Sequence, residues 1–134
     1  MQVEGSRVEM FQLREALEAS WKPDTAYLKV EEAGNPALGQ CYPTSWVVQF
    51  YYPKAEIVEG EIWTGKSTEK HFWNILGQNG ETIHIDFTWQ QFPNGSVIKS
   101  YKVRDRETLG DGPETIKRIE LLHNRVKDYL SKHE

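Results

Sequence analysis

Residues 71–88 read HFWNILGQNGETIHIDFT, and this stretch decides the fold because it predicts a β-hairpin. Asn79-Gly80 suits the two central positions of a type I′ turn, which both need positive φ angles. Centring the turn there pairs Trp73 with Asp86 on the opposite strand. His71 and Asp86 then lie on one face as diagonal neighbours, roughly 7–8 Å apart at the backbone. The stretch therefore predicts an antiparallel hairpin that carries a histidine–aspartate pair.

Upstream of the hairpin, the apolar run from Tyr42 to Tyr52 predicts a buried helix directly after Gly39-Gln40-Cys41. The run is apolar nearly all round, Pro43 is tolerated in a first helical turn, and Pro53 ends the helix. Cys41, the one cysteine of the sequence, therefore lies at the helix N-terminus. There the positive end of the helix dipole favours a thiolate, and free backbone N–H groups can face an oxyanion.

Cys41, His71 and Asp86 follow one another in the order nucleophile, base and orienter. Asp86 would accept a hydrogen bond from one ring nitrogen of His71 and leave the other nitrogen facing Cys41. His84 falls on the same face opposite Ile75 and is the competing histidine. Taken singly, each residue also fits a structural role, because a buried cysteine is a small core hydrophobe. The shared order, the helix start and the hairpin register together favour catalysis.

These residues resemble the transglutaminase-like branch of the papain-like cysteine enzymes, in which a Gly-Gln-Cys helix start, a His-x-Trp-Asn strand and an Asp-x-Thr strand end occur in this order. With Thr115-x-x-Arg118 and Arg125-Val126, the pattern is similar, more narrowly, to a small uncharacterised bacterial family of the YunG type. The resemblance implies an α+β fold, with a central buried helix packed on an antiparallel sheet and with N- and C-terminal helices. It also implies that Cys41, His71 and Asp86 form a catalytic triad.

The reaction that the resemblance implies is acyl transfer through a thioester on a small-molecule or peptide amide or ester. Hydrolysis is favoured over crosslinking, because so small a chain has little surface for a protein substrate. The second oxyanion donor lies outside the matching motifs, and Gln40 and the indole N–H of Trp21 are candidates. Trp73 and Asn74 are expected to support the site by packing and hydrogen bonding.

Two other functions compete with catalysis. One is a non-catalytic binding or regulatory domain of the same fold. The other is nucleotide binding, because Gly60–Ser67, GEIWTGKS, satisfies the phosphate-loop pattern. A phosphate loop follows a strand and opens a helix, whereas Gly60 lies inside a strand-like run and Ser67 leads into the His71 strand. We therefore expect an exposed turn at residues 65–67 and no bound nucleotide.

Composition sets the remaining expectations. With 134 residues, 38% hydrophobic and 27% charged, residues 1–134 predict a single domain. A net charge of −4 argues against a nucleic-acid partner. One cysteine and four scattered histidines predict no metal, and no cofactor is expected. Without a signal peptide or a span of roughly 20 apolar residues, we expect a cytoplasmic protein without membrane contact. The oligomeric state stays open.

The rest of the chain supplies two further helices and the remaining strands. A capping box at Ser6 and Glu9 predicts a first helix from about Arg7 to Ala19. A stripe of apolar positions predicts a closing amphipathic helix from Glu114 to Lys132 after a turn at residues 110–113. The predicted strands are Ala26–Val30, Ile57–Trp63, Lys70–Leu76, Thr82–Phe87 and Val97–Val103.

Overall fold

Three helices and a four-stranded antiparallel sheet make up the described residues, 9–26, 39–104 and 112–133, of this computed structural model. The sheet has the strand order β3-β2-β1-β4. The predicted α+β class is confirmed. The elements are α1 (Met10–Ser20), α2 (Cys41–Tyr51), β1 (Glu56–Trp63), β2 (Thr68–Gln78), β3 (Glu81–Ile85), β4 (Val97–Val103) and α3 (Pro113–Lys132).

The hairpin of β2 and β3 has the predicted register. Gln78 pairs with Glu81, and the central residues of the turn have φ angles of 54° at Asn79 and 80° at Gly80. Pairing ends at Ile85, two residues before the predicted end of the strand, so Asp86 follows the strand instead of belonging to it. The open edge of β2 beyond this point is where the candidate site lies.

Three predictions fall wholly or partly outside the described residues. Ser6 and Arg7 are not described, and α1 is seen from Met10, with the Gln12 side chain accepting a hydrogen bond from the Glu9 backbone at 3.2 Å. Of the predicted strand Ala26–Val30, only Ala26 is described, and it ends a short 3-10 turn. Residues 110 and 111 of the predicted turn before α3 are also outside the described ranges.

The helices form one layer, with α3 packed on both α1 and α2, and α2 packed on β2. On α3, Leu122 and Val126 are fully buried, whereas Ile116 of the predicted stripe is exposed. The main core therefore lies between the helices and one face of the sheet. Its buried members are Leu13, Ala16, Leu17, Trp21, Val47, Val48, Ala55, Ile85, Leu122 and Val126.

The sheet curls so strongly that its two edge strands approach each other. The rings of His84 on β3 and Tyr101 on β4 lie 5.4 Å apart, although two strands separate them in the sheet. Trp73 fills the concave side, 5.7 Å from the Tyr101 ring. A second buried cluster forms there from Val58, Ile62 and Trp73, with Ile75, Trp89 and Phe92 packed against it.

Among the described helices, none combines the length and the apolar character that crossing a bilayer requires.

Candidate active site

A short hydrogen bond joins His71 on β2 to Asp86, just after β3. The His71 Nε2 atom lies 2.7 Å from Asp86 Oδ2, and the His71 side chain is completely buried. The other carboxylate oxygen, Oδ1, accepts hydrogen bonds from the backbone N–H and the hydroxyl of Thr88, at 3.2 and 3.1 Å. Both oxygens of Asp86 are thus engaged, which holds the carboxylate in place against the imidazole.

Aromatic rings hold the imidazole from several sides. The His71 ring stacks on Trp73, with centroids 5.5 Å apart and an interplanar angle of 24°. Phe92 and Trp89, from the segment after β3, present their edges at 4.8 and 6.3 Å. Trp73 is itself anchored, because its indole N–H donates to His84 Nδ1 at 3.0 Å. His84, the competing histidine, therefore supports Trp73 and does not pair with Asp86.

The histidine is protonated at neutral pH. Burial of the ring acts to lower the pKa of His71, whereas hydrogen-bonding and charge interactions with Asp86 and with Cys41 raise it, and the net pKa is about 9. The two acidic neighbours thus outweigh desolvation. An imidazolium at this position can donate a proton to a departing group.

Cys41 is the first residue of α2, as predicted, and its side chain is partly exposed and forms no disulfide. It lines a narrow recess that leaves no room for a water molecule, together with residues 72–74 of β2 and 85–88 at the end of β3. The N-terminus of α2 therefore lies beside the part of β2 that β3 leaves unpaired. His71 uses Nε2 for Asp86, and its other nitrogen, Nδ1, is buried without a well-aligned hydrogen bond among the described residues. Interaction with Cys41 contributes to the raised pKa of His71.

A comparison with protein families shows which family the chain belongs to. The YunG protein family model matches residues 9–131. The chain belongs to the YunG family. The matched range includes Cys41, His71 and Asp86. No curated protein and no solved structure matches the chain.

The two candidate oxyanion donors of this YunG family member are both engaged in other hydrogen bonds. The indole N–H of Trp21 donates to Thr44 Oγ1 at 2.9 Å. The buried Gln40 amide donates to the Lys22 carbonyl at 2.9 Å and accepts from the Thr25 hydroxyl at 2.7 Å. These bonds tie the segment around Trp21 to the start of α2.

Asn74 links the hairpin to the cysteine helix. Its side-chain amide donates to the carbonyl oxygens of Ser45 on α2, at 3.0 Å, and of Ala55 before β1, at 3.3 Å. The residue is buried, so both bonds lie away from water. Asn74 therefore fixes the distance between the strand that carries His71 and the helix that carries Cys41.

The segment that resembles a phosphate loop forms a strand and a hairpin turn. Residues 60–63 belong to β1, and the Thr64 N–H donates to the Ser67 carbonyl at 3.0 Å. A Cβ atom on Gly60 would lie 2.5 Å from both Trp73 Cη2 and the Ser100 carbonyl oxygen. The glycine is therefore needed for the close approach of Trp73. No helix opens after Ser67, so the phosphate-loop architecture is absent here.

Three residues that support this site were not assigned a role in it from the sequence. Thr88 could have been recognised, because an aspartate two residues before a threonine is typical of an Asx turn. Gly60 could also have been recognised, because an isolated glycine within a strand often marks a close approach. Arg104, which lies over the rings of Tyr42 and Phe72 at 5.0 and 5.5 Å, has no local sequence signal. Among the described residues, no cluster of three acidic, histidine or cysteine side chains could hold a metal ion.

Proposed function

We propose that this protein is a transglutaminase-like, cysteine-dependent acyl-transfer enzyme that hydrolyses an amide or ester bond. The observation that carries the proposal is the buried 2.7 Å bond between His71 and Asp86, which leaves the other ring nitrogen for Cys41. The position of Cys41 at a helix start supports the same assignment, because the helix dipole stabilises a thiolate. Cys41 is the nucleophile, His71 the acid and base, and Asp86 the residue that orients the imidazole.

In the first half of the reaction, the Cys41 thiolate attacks the substrate carbonyl carbon. A sulfur–carbon bond forms, and the carbonyl electron pair moves to the oxygen. The tetrahedral intermediate then collapses, the bond to the leaving nitrogen or oxygen breaks, and the protonated His71 gives its Nδ1 proton to the leaving group. The products of this half are a thioester on Cys41, a neutral imidazole and a free amine or alcohol.

In the second half, water attacks the thioester while neutral His71 accepts a proton from it. The sulfur–carbon bond breaks, and the carboxylic acid departs. The thiolate and the imidazolium are restored. Asp86 stabilises the charged ring in each half and keeps its Nε2 proton in place.

Two N–H groups at the start of α2 support an oxyanion hole. The backbone N–H of Cys41 lies at the first helical position, where no acceptor exists within the helix. A glutamine amide has two N–H donors, and the hydrogen bond of Gln40 to Lys22 uses one of them. We propose the other donor as the second contact to the developing negative charge.

The experiment is the rate of Cys41 alkylation by iodoacetamide as a function of pH, followed by intact-protein mass spectrometry. We expect neutral-pH labelling about ten-fold or more faster than that of the urea-unfolded chain, because the proposed nucleophile lies at a helix N-terminus and next to a protonated imidazole. Asp86→Asn and His71→Gln should both slow the reaction, and Cys41→Ser should abolish it. Circular dichroism of each variant checks that the fold is retained.

The same proteins are then incubated with activated esters and amides of varied acyl groups. A mass increase equal to the acyl group, present in the parent chain and absent in Cys41→Ser, identifies the thioester. Labelling no faster than that of the unfolded chain, and insensitive to Asp86→Asn, would refute the proposal. That result would favour a non-catalytic binding domain of the same fold.

A further inference from the structure

A polar groove continues the face of the sheet on which α2 packs. Phe72 and Asn74 contact α2, so alternate residues of β2, including Lys70, share that face beyond the helix start. The groove has a volume of about 490 Å³, within the range of roughly 300–1,000 Å³ typical of small-molecule sites. Its lining residues are Glu59, Gly60, Glu61, Thr68, Lys70, Ser100, Tyr101 and Lys102.

Arg104 contacts residues of both this groove and the recess of Cys41. Its guanidinium is 5.0 Å from the ring of Tyr42, the residue after Cys41, and 5.5 Å from the ring of Phe72, the residue after His71. Phe72 lines the recess, and Glu59, which lies 4.0 Å from Arg104, lines the groove. The guanidinium therefore contacts one lining residue of the recess, Phe72, and one of the groove, Glu59.

Among the described residues, positive charge exceeds negative charge around this position. Glu59 forms an ion pair with Lys70 at 3.2 Å and only a long contact with Arg104 at 4.0 Å. In the register of the sheet, Lys102 on β4 lies opposite Glu59 on β1. Glu61, the second acidic residue of β1, lies opposite Lys70 on β2. Within the described ranges, three cations thus face two carboxylates.

The donors of Arg104 are not used up by these contacts. Its side chain is 22% exposed, and its contact with Glu59 is long, at 4.0 Å. A guanidinium has five N–H donors in a planar fork that matches the two oxygens of a carboxylate. Contact with the faces of the two rings does not consume these donors.

We propose that the substrate of the Cys41 site carries a carboxylate group, which Arg104 binds with the help of Lys102 at the end of the groove. This inference rests on the proposed acyl transfer and names the substrate class for it. Amide or ester compounds with a free carboxylate, such as short peptides with an acidic side chain or a C-terminus, belong to this class. Neutral and cationic analogues should react more slowly.

The test compares two alkylating probes that differ in charge, iodoacetate and iodoacetamide. Each forms a bond between the Cys41 sulfur and the probe carbon and releases iodide, so the ratio of the two rates cancels the intrinsic reactivity of the thiolate. The ratio is normalised to that of N-acetylcysteine. We expect Arg104→Met to lower the normalised ratio about three- to ten-fold, and high ionic strength to lower it in the parent chain.

The variants are chosen so that packing and charge separate. Methionine keeps an unbranched apolar stem over the two rings, and Arg104→Lys keeps the charge and should retain part of the preference. Arg14→Met is the matched control, because Arg14 pairs with Glu18 on the exposed side of α1 and should leave the ratio unchanged.

The outcomes distinguish the two proposals. If Cys41 reacts with neither probe faster than the unfolded chain does, acyl transfer fails and the substrate class fails with it. If labelling by iodoacetamide is fast but Arg104→Met leaves the ratio unchanged, acyl transfer stands and the carboxylate inference is wrong. A drop in the ratio for Arg104→Met, with iodoacetamide labelling and circular dichroism preserved, supports the inference.

Discussion

Replacing Asp86 by asparagine should remove a pH-dependent part of the free energy of unfolding. The pKa of His71 is about 9 in the folded protein, against 6.5 for an ordinary histidine, and a pKa difference of about 2.5 corresponds to roughly 3 kcal/mol. Because the folded pKa is raised, this stability is fully present below about pH 6.5 and is lost as the pH rises through about 9.

The substitution keeps the geometry while reversing one hydrogen bond. Asparagine Oδ1 can still accept from Thr88, but its side-chain amide now faces His71 Nε2 and favours the neutral ring. We therefore expect Asp86→Asn to destabilise the protein more at about pH 6 than at about pH 9.5, by up to roughly 3 kcal/mol. Cys41 also raises the pKa of His71, so part of this difference will remain in the variant.

The assay is urea unfolding at both pH values, followed by the fluorescence of the five tryptophans. Asp24→Asn is the matched control, because Asp24 pairs with Arg125 at 2.6 Å and both residues keep their charges at either pH. Its effect should be the same at both. If Asp86→Asn also had the same effect at both, the reasoning that Asp86 holds His71 protonated would be wrong.

Three further substitutions test the support of the site by urea unfolding. Gly60→Ala should destabilise the protein by about 1–3 kcal/mol and alter tryptophan fluorescence, because its Cβ would meet Trp73 and a backbone carbonyl; an unchanged midpoint would contradict this. Asn74→Ala should cost about 1–3 kcal/mol, because the buried carbonyl oxygens of Ser45 and Ala55 lose a donor; an effect below about 0.5 kcal/mol would argue against this link. Trp21→Phe should lower the free energy of unfolding by about 1 kcal/mol, because the hydrogen bond to the buried Thr44 hydroxyl is lost. The rate of Cys41 labelling by iodoacetamide should be retained, and slower labelling would instead indicate a role of Trp21 in the site.

The hairpin and the cysteine helix were predictable because their signals are local. Asn79-Gly80 has no good alternative to a tight turn with positive φ angles, and this turn sets the pairing of every later residue. The proline two residues after Cys41 likewise suits only a first helical turn. Local backbone chemistry thus places Cys41 at the start of its helix and sets the register of His71 and Asp86 in the hairpin, before any long-range contact is known.

The supporting contacts were not predictable, because they depend on how the sheet bends. The predicted β3 extends to Phe87, but the Asx turn of Asp86 with Thr88 ends the pairing at Ile85. The curl that brings Tyr101 to His84 joins strands with no adjacency in the ladder. Binary patterns of apolar and polar residues carry no information about such curvature, and so the hydrogen bond from Trp73 to His84 has no signature in sequence.

The contacts of α3 have a consequence for the order of folding during synthesis. Arg125 bonds to the Ser20 carbonyl and to Asp24, which precede it by 105 and 101 residues. The histidine–aspartate pair instead spans 15 residues, and contacts of short sequence separation form fastest. The hairpin can therefore close soon after it leaves the ribosome, whereas α1 and α2 wait for α3. In a nascent chain we therefore expect His71 and Asp86 to pair before the helix that carries Cys41 is fully packed.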